Sequence, residues 1–156
     1  MLNLEIPGFG TLRADTVVMD LNGTLGLEGI PDQGVLNRLR DLSSTLNLFV
    51  LTADTHGRAA DLPADFGLKV ERLAAGNEEG QKRDFVARIG RERTIAVGNG
   101  ANDTLMLAEA AVGICVIGEE GAAVSAIQHA DIVVQHIHHA LDLLLKPKRL
   151  LATLRR

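Results

Sequence analysis

Four short segments of the sequence carry side chains suited to holding an anion or a hard cation. In DLNGTL, Asp20 to Leu25, a carboxylate is followed by a tight Asn-Gly turn and a hydroxyl. Gly23 would let backbone amides approach an anion closely, and Thr24 would add a hydroxyl donor. Read by itself, the segment is equally a solvated aspartate ahead of an ordinary turn. LTADT offers the Thr52 hydroxyl and the amide of Ala53 as a second anion contact, although Thr-Ala-Asp is also a common helix start. Lys82 is a single cation in a helical pattern, where exposure to solvent is the usual outcome. GNGANDTLML, Gly98 to Leu107, gathers Asn99, Asn102 and Asp103. Their amide and carboxylate oxygens are the kind that Mg²⁺ takes as ligands, and a glycine-rich helix start is the plainer alternative.

These segments fall at the ends of recognisable elements. Short β-branched runs alternate with helical patterns, the signature of a parallel α/β sheet. TVVMDL (Thr16 to Leu21), LNLFVLT ending at Thr52, and TIAVG ahead of Asn99 read as buried strands. Further strands are expected at Leu68 to Leu73, in VGICVIG and in DIVV. Between them the spacing predicts a helix opened by Pro31 and Asp32 and running to about Leu42, and helices over Arg58 to Leu62, Asn77 to about Arg88, about Ala101 to Ala110 and near Ala122 to Gln128. One long terminal helix and an early hairpin in LNLEIPGFGTLR complete the reading. The expected fold is α/β, a Rossmann-like doubly wound parallel sheet in one domain over residues 1–156. In such sheets ligands bind beyond the carboxyl ends of the strands, at the switch point of the winding. Asp20, Thr52 and the cluster from Asn99 to Asp103 each follow a strand, so they should share one crevice, with Lys82 in reach of its rim.

Taken in order, a strand-end DxxGT, a strand-end Thr, a helical Lys and GxGxND resemble the haloacid-dehalogenase (HAD) superfamily from Val17 to about Val134. More narrowly, VLTADT and GNGANDTLMLAEAAVGICVIGEEGAAVSAIQHADIVV resemble the phosphorylation domain of P-type ATPases. The resemblance implies a HAD-like fold and a phosphohydrolase (phosphatase) working through an aspartyl phosphate. It makes Asp20 the nucleophile and a Mg²⁺ ligand, with the backbone carbonyl of Asn22 as a further ligand. Gly23, Thr24, Thr52, Ala53, Lys82 and Asn102 would contact the phosphate, and Lys82 would also orient Asp20. Asn99 and Asp103 would face the metal directly or through water.

Two positions depart from the family pattern. Family phosphatases carry Asp at the position of Asn22, as general acid for the leaving group and then base for water. Asn can do neither, and P-type ATPases carry Thr there, so slow turnover or a long-lived phosphoenzyme is expected. Asn99 stands where GDGxND has Asp, which removes a charge beside the metal. Superfamily caps are inserted between the first and second motifs or between the second and third. Thr24 to Thr52 holds one loop and one helix, and Thr52 to Lys82 a helix, a strand and a linker, so the domain should be capless and its crevice open. A slow Mg²⁺-dependent phosphatase is the leading expectation. The alternatives are a catalytically impaired module that binds phosphate or a partner, and a phosphoenzyme switch.

Composition narrows the partners. A net charge of −4 without a basic patch points away from nucleic acid. No apolar run approaches the ~20 residues of a membrane span, and MLNLEIPGFG lacks the features of a signal peptide. Cys115, the single cysteine, sits in an apolar run and reads as a packed thiol, which suits a cytoplasmic protein. The expected partner is a phosphorylated substrate, small or macromolecular, and an open crevice with an early hairpin is compatible with a homo-oligomer. His136, His138 and His139 read as solvated surface at a helix start, and Met19 and Met106 as core. KPKRLLATLRR, Lys146 to Arg156, reads as a capped terminal helix whose cations suit the dipole.

Overall fold

Strands β3 (Thr16–Asp20), β6 (Thr94–Gly98) and β7 (Val112–Val116) are buried along their whole length. Uninterrupted apolar strands of this kind must be covered on both faces. The computed structural model describes residues 1–53, 62 and 67–156, so the short helix expected at Arg58 to Leu62 lies outside the described residues apart from Leu62. With β4 (Asn47–Thr52), β5 (Lys69–Arg72) and β8 (Ile132–Val134), these strands form a six-stranded sheet in the order β5-β4-β3-β6-β7-β8. Every neighbouring pair is parallel. The chain winds outward from β3 through β4 to β5, then returns to lay β6 on the other side of β3. That reversal is the switch point, where the carboxyl ends of two neighbouring strands diverge and open a crevice.

Alternate residues of each strand enter opposite layers. Val17, Met19, Ile95, Val97 and Ile114 pack with Val35, Leu39 and Leu42 of α1 (Gln33–Ser43) and Leu141 and Leu144 of α5 (Ile137–Leu145). Val18, Leu51, Ala96 and Cys115 face the other way, toward Phe85 and Val86 of α2 (Glu78–Ile89), Met106 and Leu107 of α3 (Thr104–Glu109) and Ala126 of α4 (Val124–His129). Met19, Met106 and Cys115 are fully buried, as expected of core side chains. The early hairpin forms as β1 (Leu2–Ile6) against β2 (Gly10–Ala14), antiparallel, with Leu2 opposite Ala14.

Three local readings change. The helix expected from Ala101 begins as a 3₁₀ turn over Ala101–Asp103 before α3 starts, which lets Asp103 fold back onto the strand end. The single terminal helix is two, α5 and α6 (Pro147–Leu154). Pro147 has no amide to continue α5, but it suits a first helical position, so the chain restarts there. The restarted helix buries Leu150 and Leu154, and Arg156 N donates to Pro7 O of the hairpin turn at 2.9 Å. The histidines are not simply solvated: His138 Nε2 lies 3.0 Å from Asp32 Oδ1, and both His136 and His138 are half-buried. Among the described residues no helix is long and apolar enough to cross a membrane.

Candidate active site

Asp20 is the last residue of β3, and its buried carboxylate receives a cation from a different layer. Lys82 Nζ donates to Asp20 Oδ1 at 2.7 Å and to Asp103 Oδ1 at 2.7 Å. The helix that carries Lys82 starts with Asn77 in the left-handed region (φ 49°), its side chain accepting from Gly80 N at 3.3 Å. From that start Lys82 falls on the buried face of α2 together with Phe85 and Val86, and only 1% of it is exposed. Asp103 is fully buried and held from behind, its Oδ2 accepting from the amides of Asn99 and Gly100 at 2.9 Å each. Gly98 makes this possible, because a Cβ there would lie 2.6 Å from the Asp103 carboxyl group. Backbone amides therefore fix Asp103, Asp103 fixes Lys82, and Lys82 fixes Asp20.

The charges of this triad do not balance. Burial, reinforced by the nearby Asp103 carboxylate, pushes the Asp20 carboxyl up to about 7, against the pull of Lys82. Burial also works against the Lys82 cation, but the facing carboxylates of Asp103 and Asp20 outweigh it and hold the ammonium above its usual range. Two carboxylates against one ammonium leave a net negative charge at a buried strand end. A phosphoryl group could enter such a place only with additional positive charge.

The remaining predicted residues surround the triad unequally. The Thr24 hydroxyl lies 3.3 Å from Asp20 Oδ2 and 3.1 Å from Asn99 Oδ1, so both oxygens converge on one point. Thr52, at the end of β4, is buried beside Asp20's strand, and Ala53 follows it half-buried. Asn22 is exposed, and its side-chain oxygen turns toward Gly29, where a Cβ would lie 2.6 Å from it. Gly23 adopts φ +77° and donates its amide to Gly26 O at 3.1 Å. Asn102 is exposed and donates to Glu78 Oε2 at 3.0 Å, away from the triad.

This donor set fits a hard divalent cation. Asp20 Oδ2 and Asn99 Oδ1 are oxygens, one of them charged, both within reach of the same hydroxyl. Among the described residues no group of three or more His, Cys, Asp or Glu gathers as a metal cage. A cation here would therefore depend on amide and backbone oxygens as well as on Asp20.

A cavity of about 180 Å³ lies beside the site rather than on it. It shares Gly23 and Thr24 with the site but lacks Asp20, Thr52 and Lys82, and Glu120 stands on its wall. Sequence reasoning passed over Glu120. Its signal was a pair of acids, Glu119 and Glu120, between two glycines in an otherwise apolar stretch.

No family model matches the chain. The uncharacterized protein MJ0073 of Methanocaldococcus jannaschii is 47% identical over 92 residues, covering 56% of this chain and 99% of that protein. A soluble P-type ATPase-like phosphatase from the same organism is 26% identical over 142 residues, covering 87% of this chain and 51% of its own length. This chain thus spans about half of that phosphatase. Among solved structures, the 3-deoxy-D-manno-octulosonate 8-phosphate phosphatase of Moraxella catarrhalis, in complex with magnesium, phosphate and KDO, superimposes with a TM-score of 0.60. The match covers 92% of this chain and 95% of that one at 15% identity, a likeness of fold.

Proposed function

We propose, from the premise that this chain belongs to the haloacid-dehalogenase superfamily, that it is a Mg²⁺-dependent phosphohydrolase with Asp20 as nucleophile. The observation that carries the reading is the buried Lys82, bonded at 2.7 Å to both Asp20 and Asp103. A structural lysine is rarely buried between two carboxylates at a strand end, whereas a group that must be aimed needs such a clamp. The magnesium and phosphate bound by the Moraxella phosphatase of the same fold support the choice of ligands. The proposed unit is one capless domain: between Thr24 and Thr52 the chain forms only tight turns, α1 and β4. The reading is of a cytoplasmic enzyme, in keeping with a single buried thiol.

The chemistry follows from the side chains. A carboxylate oxygen of Asp20 attacks phosphorus, forming an acyl phosphate while the bond to the substrate's leaving oxygen breaks. Lys82 holds Asp20 in line and offsets the charge that builds on the phosphoryl oxygens, and the Thr52 hydroxyl and Ala53 amide stand at the neighbouring strand end to hold those oxygens. Bound Mg²⁺, held by Asp20, the Asn22 carbonyl and Asn99, with Asp103 facing it directly or through water, would supply the positive charge the triad lacks. Asn22 carries no proton to give, so the leaving oxygen takes its proton from solvent. In the second step water attacks the phosphoryl group without a base at residue 22, releasing phosphate and regenerating Asp20. Loss of a general acid–base costs ~10²–10⁴-fold in rate, so turnover is slow.

The test is Mg²⁺-dependent release of phosphate from an aryl phosphate and from acetyl phosphate. Activity that disappears in Asp20→Asn and on chelation supports the reading. Activity that survives Asp20→Asn assigns the hydrolysis to something else. A long-lived phosphoenzyme is the second reading, and Asn22 specifically favours it.

A further inference from the structure

The cavity of about 180 Å³ beside the triad has no part in the chemistry above. Its inner wall includes Thr24, Leu25, Val116 and Ile137, all buried. The Thr24 hydroxyl lies 3.3 Å from Asp20 Oδ2, so the cavity begins one side chain away from the nucleophile. Glycines draw its sides together: a Cβ on Gly118 would lie 3.4 Å from the Gly23 carbonyl oxygen, and one on Gly26 only 2.1 Å from that of Ile30.

The charge on this lining is one-sided. Asp32, Glu119 and Glu120 are exposed at the mouth, and among the described residues neither Lys nor Arg lines the cavity. Asp32 is engaged, accepting from Val35 N at 2.8 Å and lying 3.0 Å from His138 Nε2. Glu119 and Glu120 form no ion pair among the described residues, so their charges stand unopposed. His136 is half-buried on the wall, its Nδ1 accepting from His138 N at 3.2 Å, which leaves Nε2 to meet a hydroxyl.

We infer that this cavity seats the alcohol half of the phosphate ester and selects an alcohol without negative charge, an amino alcohol being the class it fits best. The inference rests on the phosphohydrolase reading of Asp20. At ~30 Å³ per water the space holds about six waters, so the seated group is small. Lys82 does not line the cavity, so its charge serves the phosphoryl group and offers the alcohol half no anion contact. Two unopposed glutamates repel a carboxylate or a second phosphate as much as they attract an ammonium, and both effects sharpen the choice.

The test compares Mg²⁺-dependent phosphate release from ethanolamine phosphate, glycerol phosphate and 3-phosphoglycerate, whose alcohol halves are cationic, neutral and anionic, with 4-nitrophenyl phosphate alongside. Wild type should take the three in that order by kcat/KM. In Glu119→Gln/Glu120→Gln the ratio of ethanolamine phosphate to 3-phosphoglycerate should fall roughly tenfold, as an attraction is lost and a repulsion relieved at two solvated charges. Comparing one ratio between proteins removes the intrinsic reactivity of the esters. Glu5→Gln/Glu92→Gln, which removes the same charge from the hairpin and from the turn ahead of β6, should keep the wild-type ratio. The inference is overturned if wild type takes 3-phosphoglycerate as readily as ethanolamine phosphate, or if the ratio stays unchanged in Glu119→Gln/Glu120→Gln. It is also overturned if the ratio falls equally in both double variants, or if 4-nitrophenyl phosphate alone is hydrolysed. In each of these cases Asp20-dependent release from 4-nitrophenyl phosphate leaves the phosphohydrolase reading standing. No release from any of the four esters overturns that reading and this inference together.

Discussion

Lys82 Nζ stands 2.7 Å from Asp20 Oδ1, although 62 residues of chain separate the pair. The contact joins a helix on one face of the sheet to the end of its first parallel strand, and the cation is almost wholly out of water. Removing a partner from such a buried arrangement leaves uncompensated charge. Lys82→Met should therefore destabilise the fold by roughly 3–5 kcal/mol at neutral pH. Part of that loss should return on acidification, as one of the two stranded carboxylates protonates. Denaturant unfolding at pH 7.5 and pH 5.5 checks both statements, and a Lys82→Met variant as stable as wild type would contradict the buried triad.

The Asp20 carboxyl, pushed up to about 7 by burial and by Asp103, sets a pH dependence of its own. Its folded value lies above its unfolded one, so between them the folded chain binds the extra proton. The stability linked to this group is complete below about pH 4 and is lost as pH rises through 7, at a slope of about 1.4 kcal/mol per pH unit at most. Metal-free protein should accordingly become less stable from pH 5 to pH 8, and Asp20→Asn should flatten that change. Urea midpoints in the presence of a chelator provide the measurement. A wild-type profile as flat as that of Asp20→Asn would show that Asp20 is not held out of water.

Asn22 is exposed beside the crevice, on the turn that follows Asp20. Asn22→Asp puts a proton donor and acceptor where the two-step chemistry needs one. Phosphate release in Mg²⁺ should rise by ~10²–10⁴-fold, with a shorter-lived acyl phosphate. An unchanged rate would mean that water access or product release, and not acid–base chemistry, limits turnover.

Cys115 lies in β7 with no exposed surface, and burial, with Asp103 nearby, pushes its thiol up to about 11. The native protein should resist an aromatic disulfide reagent at pH 8, and labelling should follow unfolding. Rapid stoichiometric labelling of the folded chain would contradict this packing.

Much of this arrangement was legible before the structure. The central strands β3, β6 and β7 announce themselves because they are covered on both faces and so read as unbroken apolar runs, and the polar residues at the ends of β3 and β6 stand out against that background. What stayed illegible depends on contacts between distant residues. Nothing local distinguishes Lys82 from an exposed helical lysine, since its burial follows from the position of Asp103 and from the glycine at 98 that lets Asp103 fold back. The pairing of His138 with Asp32 spans 106 residues and leaves no mark in either neighbourhood. The break at Lys146 was available from Pro147, but a proline is also at home inside the first turn of a continuing helix.

The central claim is that Asp20 takes a phosphoryl group, and intact mass during reaction with acetyl phosphate and Mg²⁺ tests it most directly. Wild type should accumulate a single phosphoryl adduct, because Asn22 cannot speed its hydrolysis. Asp20→Asn should never acquire the adduct, and Asn22→Asp should carry less of it at steady state. An adduct that persists in Asp20→Asn, or no adduct and no turnover in either wild type or Asn22→Asp, would contradict the account.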